Sequence, residues 1–91
     1  MNNNIIQQID ENIYYYNTEI NYLKKRISEI MMIINIHNTD NFIRKELSNH
    51  KNTLDKYESI LFELRCKKHD ISNNVSVDTQ DVKRLLGKRK H

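Results

Sequence analysis

The chain of 91 residues has no proline, no tryptophan and no alanine, and its one glycine, Gly87, stands almost at the C-terminus. Loop punctuation is therefore scarce, and no glycine-rich loop is available to cradle a phosphate. A lone Cys66 excludes an intrachain disulfide and fits a reducing compartment. The longest apolar stretch, Ile30 to Ile34, falls far short of the roughly 20 residues that a membrane span needs. Met1-Asn2-Asn3-Asn4 offers neither a basic segment nor an apolar run, so no secretory signal is expected. A soluble, intracellular protein, cytoplasmic or nuclear, is the expectation.

Catalytic patterns are missing as well. There is no HExxH, no CxxC and no serine-centred elbow. Glu63, Cys66 and His69 share a helix face at i, i+3 and i+6, but they span too much of two turns to converge on a metal, and no fourth ligand is evident. The chain is accordingly expected not to be an enzyme, and to use no cofactor, metal or small-molecule substrate. Cys66, beside Lys67 and Lys68, reads either as a somewhat reactive thiol or as an incidental surface cysteine.

What the chain has in abundance is isoleucine, asparagine and lysine. With Ala, Pro and Gly nearly absent, that is the skew of an AT-rich genome, which accounts for many isoleucines without any function. Length allows one domain, near the lower limit at which a chain buries a sufficient core unaided. The net charge of +3 is uneven. Residues 1–40 carry three Lys or Arg against five Asp or Glu, a net of −2, and residues 41–91 carry twelve against seven, a net of +5.

The strongest pattern is periodic. Ile6, Ile9, Ile13, Tyr16, Ile20, Leu23, Ile27, Ile30 and Ile34 recur at alternating spacings of three and four, with isoleucine at every a position of a heptad repeat. Such a strip buries against another helix in a left-handed supercoil. Isoleucine is only a moderate helix former, so packing must hold this segment helical. The pattern fails at Asn38-Thr39-Asp40-Asn41, whose short polar side chains favour caps and turns, and Thr39 or Asp40 can cap a second helix. A second series follows out of phase: Ile43, Leu47, His50, Leu54, Tyr57, Leu61, Leu64, Lys68 and Ile71.

Antiparallel pairing layers Ile34 on Ile43, Ile27 on His50, Ile20 on Tyr57, Tyr16 on Leu61 and Ile9 on Lys68. Each pair of numbers adds to 77, which centres the fold-back between Asn38 and Thr39, inside the polar break. The expected fold is all-α: an antiparallel coiled-coil helical hairpin over 1–71, with helix 1 about 3–36, a turn at 37–40 and helix 2 about 41–70. The alternative is one long bent helix in a parallel dimer. In the same register Asp10 faces Arg65 and Lys24 faces Lys51. Lys68 opposite Ile9 predicts a seam that frays at its open end, the lysine stem packing while the ammonium reaches water.

A two-helix hairpin has a single seam, yet this chain carries further apolar residues outside it. Met31, Met32, Ile33, Ile36, Phe42, Ile60 and Phe62 are the candidate partner-binding residues, five of them near the turn. Met31, Ile33 and Ile60 sit at e or g positions and widen the apolar face, as in multi-helix bundles. The expected partner is a second copy, giving a homodimeric four-helix bundle, or another protein. Scattered surface isoleucines on a monomeric hairpin are the plainer alternative.

Residues 72–91 read as a linker, a short helix and a basic tail. Asp78 or Thr79 can cap a helix ending at Leu86, with Gly87 as its stop and Val82, Leu85 and Leu86 as its apolar face. Two turns are not stable alone, so this helix must dock or stay disordered. Lys83, Arg84, Lys88, Arg89 and Lys90 place five charges within eight residues. They suit nucleic-acid phosphates or another acidic surface, or serve only as a solubilising tail. His50, at a core d position, reads as a pH-sensitive layer or as a register-fixing residue bonded to Glu46. Of Tyr14, Tyr15 and Tyr16, only Tyr16 faces the seam.

Overall fold

In a computed structural model the chain forms three helices: α1 (Asn2–His37), α2 (Asn41–Ser72) and α3 (Thr79–Leu86). The structure describes residues 2–37 and 41–89, and side chains over 4–35 and 41–89. The expected turn centre and the caps assigned to Thr39 and Asp40 lie outside these residues.

The two long helices pack side by side and run antiparallel. Four polar contacts between them join early residues to late ones: Asp10 to Lys68 at 2.7 Å, Asn17 to Arg65 at 3.4 Å, Lys24 to Glu58 at 3.8 Å and Arg26 to Glu46 at 2.9 Å. A single continuous helix cannot make them. The longest dimension is 54 Å, which is the length of the 36-residue α1 at ~1.5 Å per residue. The radius of gyration of 16.8 Å exceeds the about 12 Å of a compact domain this long, as a rod-like hairpin requires.

The heptad strip of α1 is buried along most of its length, at Ile9, Tyr16, Ile20, Leu23, Ile27 and Ile30. Polar side chains within the helices close on their own backbone. Asn12 Nδ2 donates to the Gln8 carbonyl at 2.8 Å, Thr18 Oγ1 to the Tyr14 carbonyl at 2.9 Å, and Thr53 Oγ1 to the Asn49 carbonyl at 3.0 Å.

The segment after α2 is more ordered than a linker. Val75 N–H donates to the Asp70 carbonyl at 2.8 Å and Asn74 N–H to the Ile71 carbonyl at 3.2 Å, while Asn74 takes a left-handed φ of 59°. This is a Schellman cap with asparagine in the place usually held by glycine. It turns the chain back, and Asp78 then caps α3 by accepting from the Gln80 N–H at 2.9 Å. α3 closes at Gly87, whose N–H donates to the Lys83 carbonyl at 3.0 Å. Gly87 is right-handed at φ −73°, so the helix ends where the sequence predicts without using glycine's conformational freedom.

α3 docks on the hairpin. Val82 and Leu85 join one buried cluster with Ile9, Tyr16, Ile20, Ile60, Leu61 and Leu64, and Ile5, Tyr15, Ile71, Val77 and Leu86 pack around it. The open end of the hairpin is thus a three-helix bundle, with Ile9 fully buried in it, where the position of Lys68 predicts a loosened seam. Fully burying Val82 and Leu85 contributes about 1.5–3 kcal/mol each. Lys68 itself reaches the carboxylate of Asp10 from the edge of the seam.

The flanking charges also differ from the simple register. Arg65 reaches Asn17 rather than Asp10, and Lys24 reaches Glu58 rather than Lys51. Long side chains at e positions lean along the helix, so their partner is an e residue displaced by a heptad from the one in register.

Candidate functional site

Antiparallel pairing gives the hairpin two unlike flanks, one where g positions meet and one where e positions meet. On the g flank lie Ile5, Asn12 and Ile60, and that is where α3 sits. Ile60, expected among the partner-facing residues, is 3 % exposed and belongs to the core. Its off-seam position was the correct signal that another helix covers it, but that helix is the chain's own α3. The burial of α1 follows the same division. The d residues Ile9, Tyr16 and Ile30, which lean toward the g flank, are sealed; of the a residues, Ile20 and Ile27 are buried, while Ile6, Ile13 and Ile34 toward the two ends are half-buried.

Among the described residues, nothing covers the e flank or the exposed side chains of the tip half. Met31 is 46 % exposed, Met32 61 %, Phe42 73 % and Phe62 68 %. Ile33 is half-buried, and the side chain of Ile36 lies outside the described residues. The candidates therefore fall in two places. Met31, Met32, Ile33 and Phe42 belong to the tip half, and Phe62 lies about two-thirds of the way along α2 toward the open end. There Phe62 borders a groove of about 380 Å³ lined also by Ile20, Leu61, Lys24, Glu58 and Arg65. The tip half is rich in uncompensated positive charge: Lys25, Arg44, Lys45, Lys51 and Lys56 are exposed and form no ion pair among the described residues.

At the other end the basic tail is partly occupied within the chain. The guanidinium of Arg89 lies 5.3 Å from the centre of the Tyr15 ring, and Arg84 pairs with Asp81 at 3.1 Å. Lys83 and Lys88 are exposed, and Lys90 lies outside the described residues. Tyr15 in turn meets Tyr16 edge-on at 5.1 Å, and Tyr16 meets Tyr57 in the same way at 5.1 Å. Tyr15 therefore stacks inside the chain, and Tyr14 is the exposed member of the run. Burial, then the neighbouring phenols of Tyr57 and Tyr15, raise the pKa of Tyr16 above the ordinary 10.0, with Arg89 opposing. Burial also raises that of Tyr57, helped by Tyr15 and by the Glu19 carboxylate.

His50 turns toward Glu46, its Nε2 lying 3.5 Å from Oε1, and that same oxygen accepts from Arg26 Nη2 at 2.9 Å. The Glu46 hydrogen bond is the first cause that raises the pKa of the Arg26 guanidinium. The arrangement joins the two helices across the seam, a link the sequence showed only for His50 and Glu46. Among the described residues no three His, Cys, Asp or Glu side chains are grouped to hold a metal ion, and Cys66 is exposed. No helix among them is long and apolar enough to cross a membrane. Comparison with protein-family models, with curated proteins and with solved structures finds no match for this chain.

Proposed function

We propose that the chain is a non-enzymatic structural or adaptor subunit that presents helical surface to protein partners. The observation that carries this reading is the asymmetry of the hairpin: α3 covers one flank, while Met31, Met32, Phe42 and Phe62 stay exposed on the remainder. Four large apolar side chains on so slender a rod, with burial contributing about 1.5–3 kcal/mol each, support a helical-bundle contact, with a second copy or with another protein. Nucleic-acid binding through the tail has less support, because Arg84 and Arg89 already have partners within the chain.

The test is light scattering combined with affinity capture, using wild type and a tip variant with Met31, Ile33 and Phe42 changed to Ser. A tip-dependent oligomer, or a tip-dependent partner of fixed stoichiometry, is the expected result. A wild-type monomer that captures the same proteins as the tip variant would contradict it. A salt titration against generic duplex DNA and RNA checks the tail, where phosphate contacts would weaken steeply as salt rises.

A further inference from the structure

We infer that the uncovered e flank, from Met31 near the tip to Arg65 about three-quarters of the way toward the open end, docks an acidic amphipathic helix of a protein partner. This rests on the adaptor reading above and names the class of partner.

The first argument is shape. α3 shows how this hairpin takes up a further helix, by laying apolar side chains onto a flank of the seam. The opposite flank has the same form but no occupant among the described residues. Along it the seam residues Ile20 and Ile27 form the floor, half-buried Ile34 lies at its tip end, and the groove between Ile20 and Leu61 opens onto it beside Phe62. Met31 and Phe62 stand along this flank as exposed apolar anchors. From residue 17 to residue 31 the strip is about 21 Å long at ~1.5 Å per residue, the length of a helix of about four turns. Apolar anchors spaced along a groove are how an amphipathic helix is recognised, and methionine adapts to varied partners.

The second argument is charge. Lys24, Arg44, Lys51 and Arg65 project at e positions along this flank, against the carboxylates Glu58 and Asp55. Arg44 and Lys51 have no acidic partner among the described residues, Arg65 meets only the neutral Asn17, and Lys24 is held loosely by Glu58 at 3.8 Å. A second copy would set these cations against their own equivalents in an isologous contact, which disfavours self-pairing on this flank. Carboxylates flanking an apolar stripe on a partner helix satisfy them. A nucleic acid would satisfy the cations but leave Met31 and Phe62 without apolar cover.

The experiment uses the full chain and a fluorescent peptide of about four turns, with leucines on one face and glutamates elsewhere. A counterpart carries glutamine for each glutamate. The expected result is binding of the acidic peptide with Kd below about 100 µM, weakened about tenfold in the Arg44→Glu, Lys51→Glu double variant and likewise in Phe62→Ser. All three positions are exposed, so circular dichroism should show the fold unchanged. Lys83→Glu, on α3, should leave binding as it was. No binding, equal binding of the glutamine peptide, or loss through Lys83→Glu alone would overturn the inference. So would capture of anionic phospholipid vesicles or duplex DNA through Arg44 and Lys51 without capture of the peptide. If the peptide fails while the tip variant still abolishes an oligomer, only the partner class falls. If both fail, the adaptor reading falls with it.

Discussion

Tyr16 is 1 % exposed, and its hydroxyl has no hydrogen-bond partner among the described residues. An unpaired buried hydroxyl carries its desolvation penalty with nothing to offset it, whereas the ring packs edge-on against Tyr15 and Tyr57. Tyr16→Phe is therefore expected to leave stability unchanged or raise it by about 1 kcal/mol, measured by urea denaturation with an unchanged slope. A loss of similar size would mean that the hydroxyl is bonded after all. The same cluster sets an alkaline limit. Tyr16 and Tyr57 titrate above 10.0 in the folded chain, so the fold retains protons that the unfolded chain releases. Stability is complete below pH 10.0 and declines as pH rises through the two raised values. In a variant with Tyr14, Tyr15 and Tyr22 changed to Phe, so that only Tyr16 and Tyr57 report, helicity followed by circular dichroism should fall together with the rise in tyrosinate absorbance, and tyrosinate appearing at ordinary pH without loss of helix would contradict the burial. At this scale the sequence was informative for Tyr16, whose heptad position predicts burial. It was silent on Arg26, because a g-position arginine finds its glutamate only once the helices are placed side by side.

For whole elements, α1 and α2 were readable because a strip repeating every 3.5 residues has few ways to be buried, and the break at 38–41 interrupts it once. α3 was readable as a helix from Asp78 and from the Val82, Leu85 and Leu86 face. Its docking site was not, since eight residues carry no register of their own, and the Asn74 turn that aims it needs a backbone conformation asparagine adopts only sometimes. Ile60 was the available clue, an apolar g residue that two helices leave exposed and a third covers. Leu85→Ala should remove one of the two α3 anchors and destabilise the chain by about 2–5 kcal/mol, a large part of what a domain of this size has. Binding of a hydrophobic dye should rise as Ile60 and Leu64 become accessible. If α3 could be cut away without either effect, the three-helix end would not be the centre of stability.

The whole molecule is a rod with two different ends: a closed three-helix base and a slender two-helix tip that carries exposed methionine, phenylalanine and positive charge. Charge was legible from the sequence as an imbalance between halves, but folding antiparallel lays the acidic N-terminal half beside the basic C-terminal half. The excess therefore collects on particular faces that a linear count does not reveal. Every surface assigned to a partner depends on that antiparallel path. It is tested most directly by the distance between spin labels at the exposed positions Gln8 and His69, in doubly labelled chains diluted into unlabelled ones. Helices packed about 8–10 Å apart predict a single short distance, below about 30 Å with the label arms included. One continuous helix through both positions would put them about 90 Å apart at ~1.5 Å per residue, and a distance of that order would contradict the hairpin.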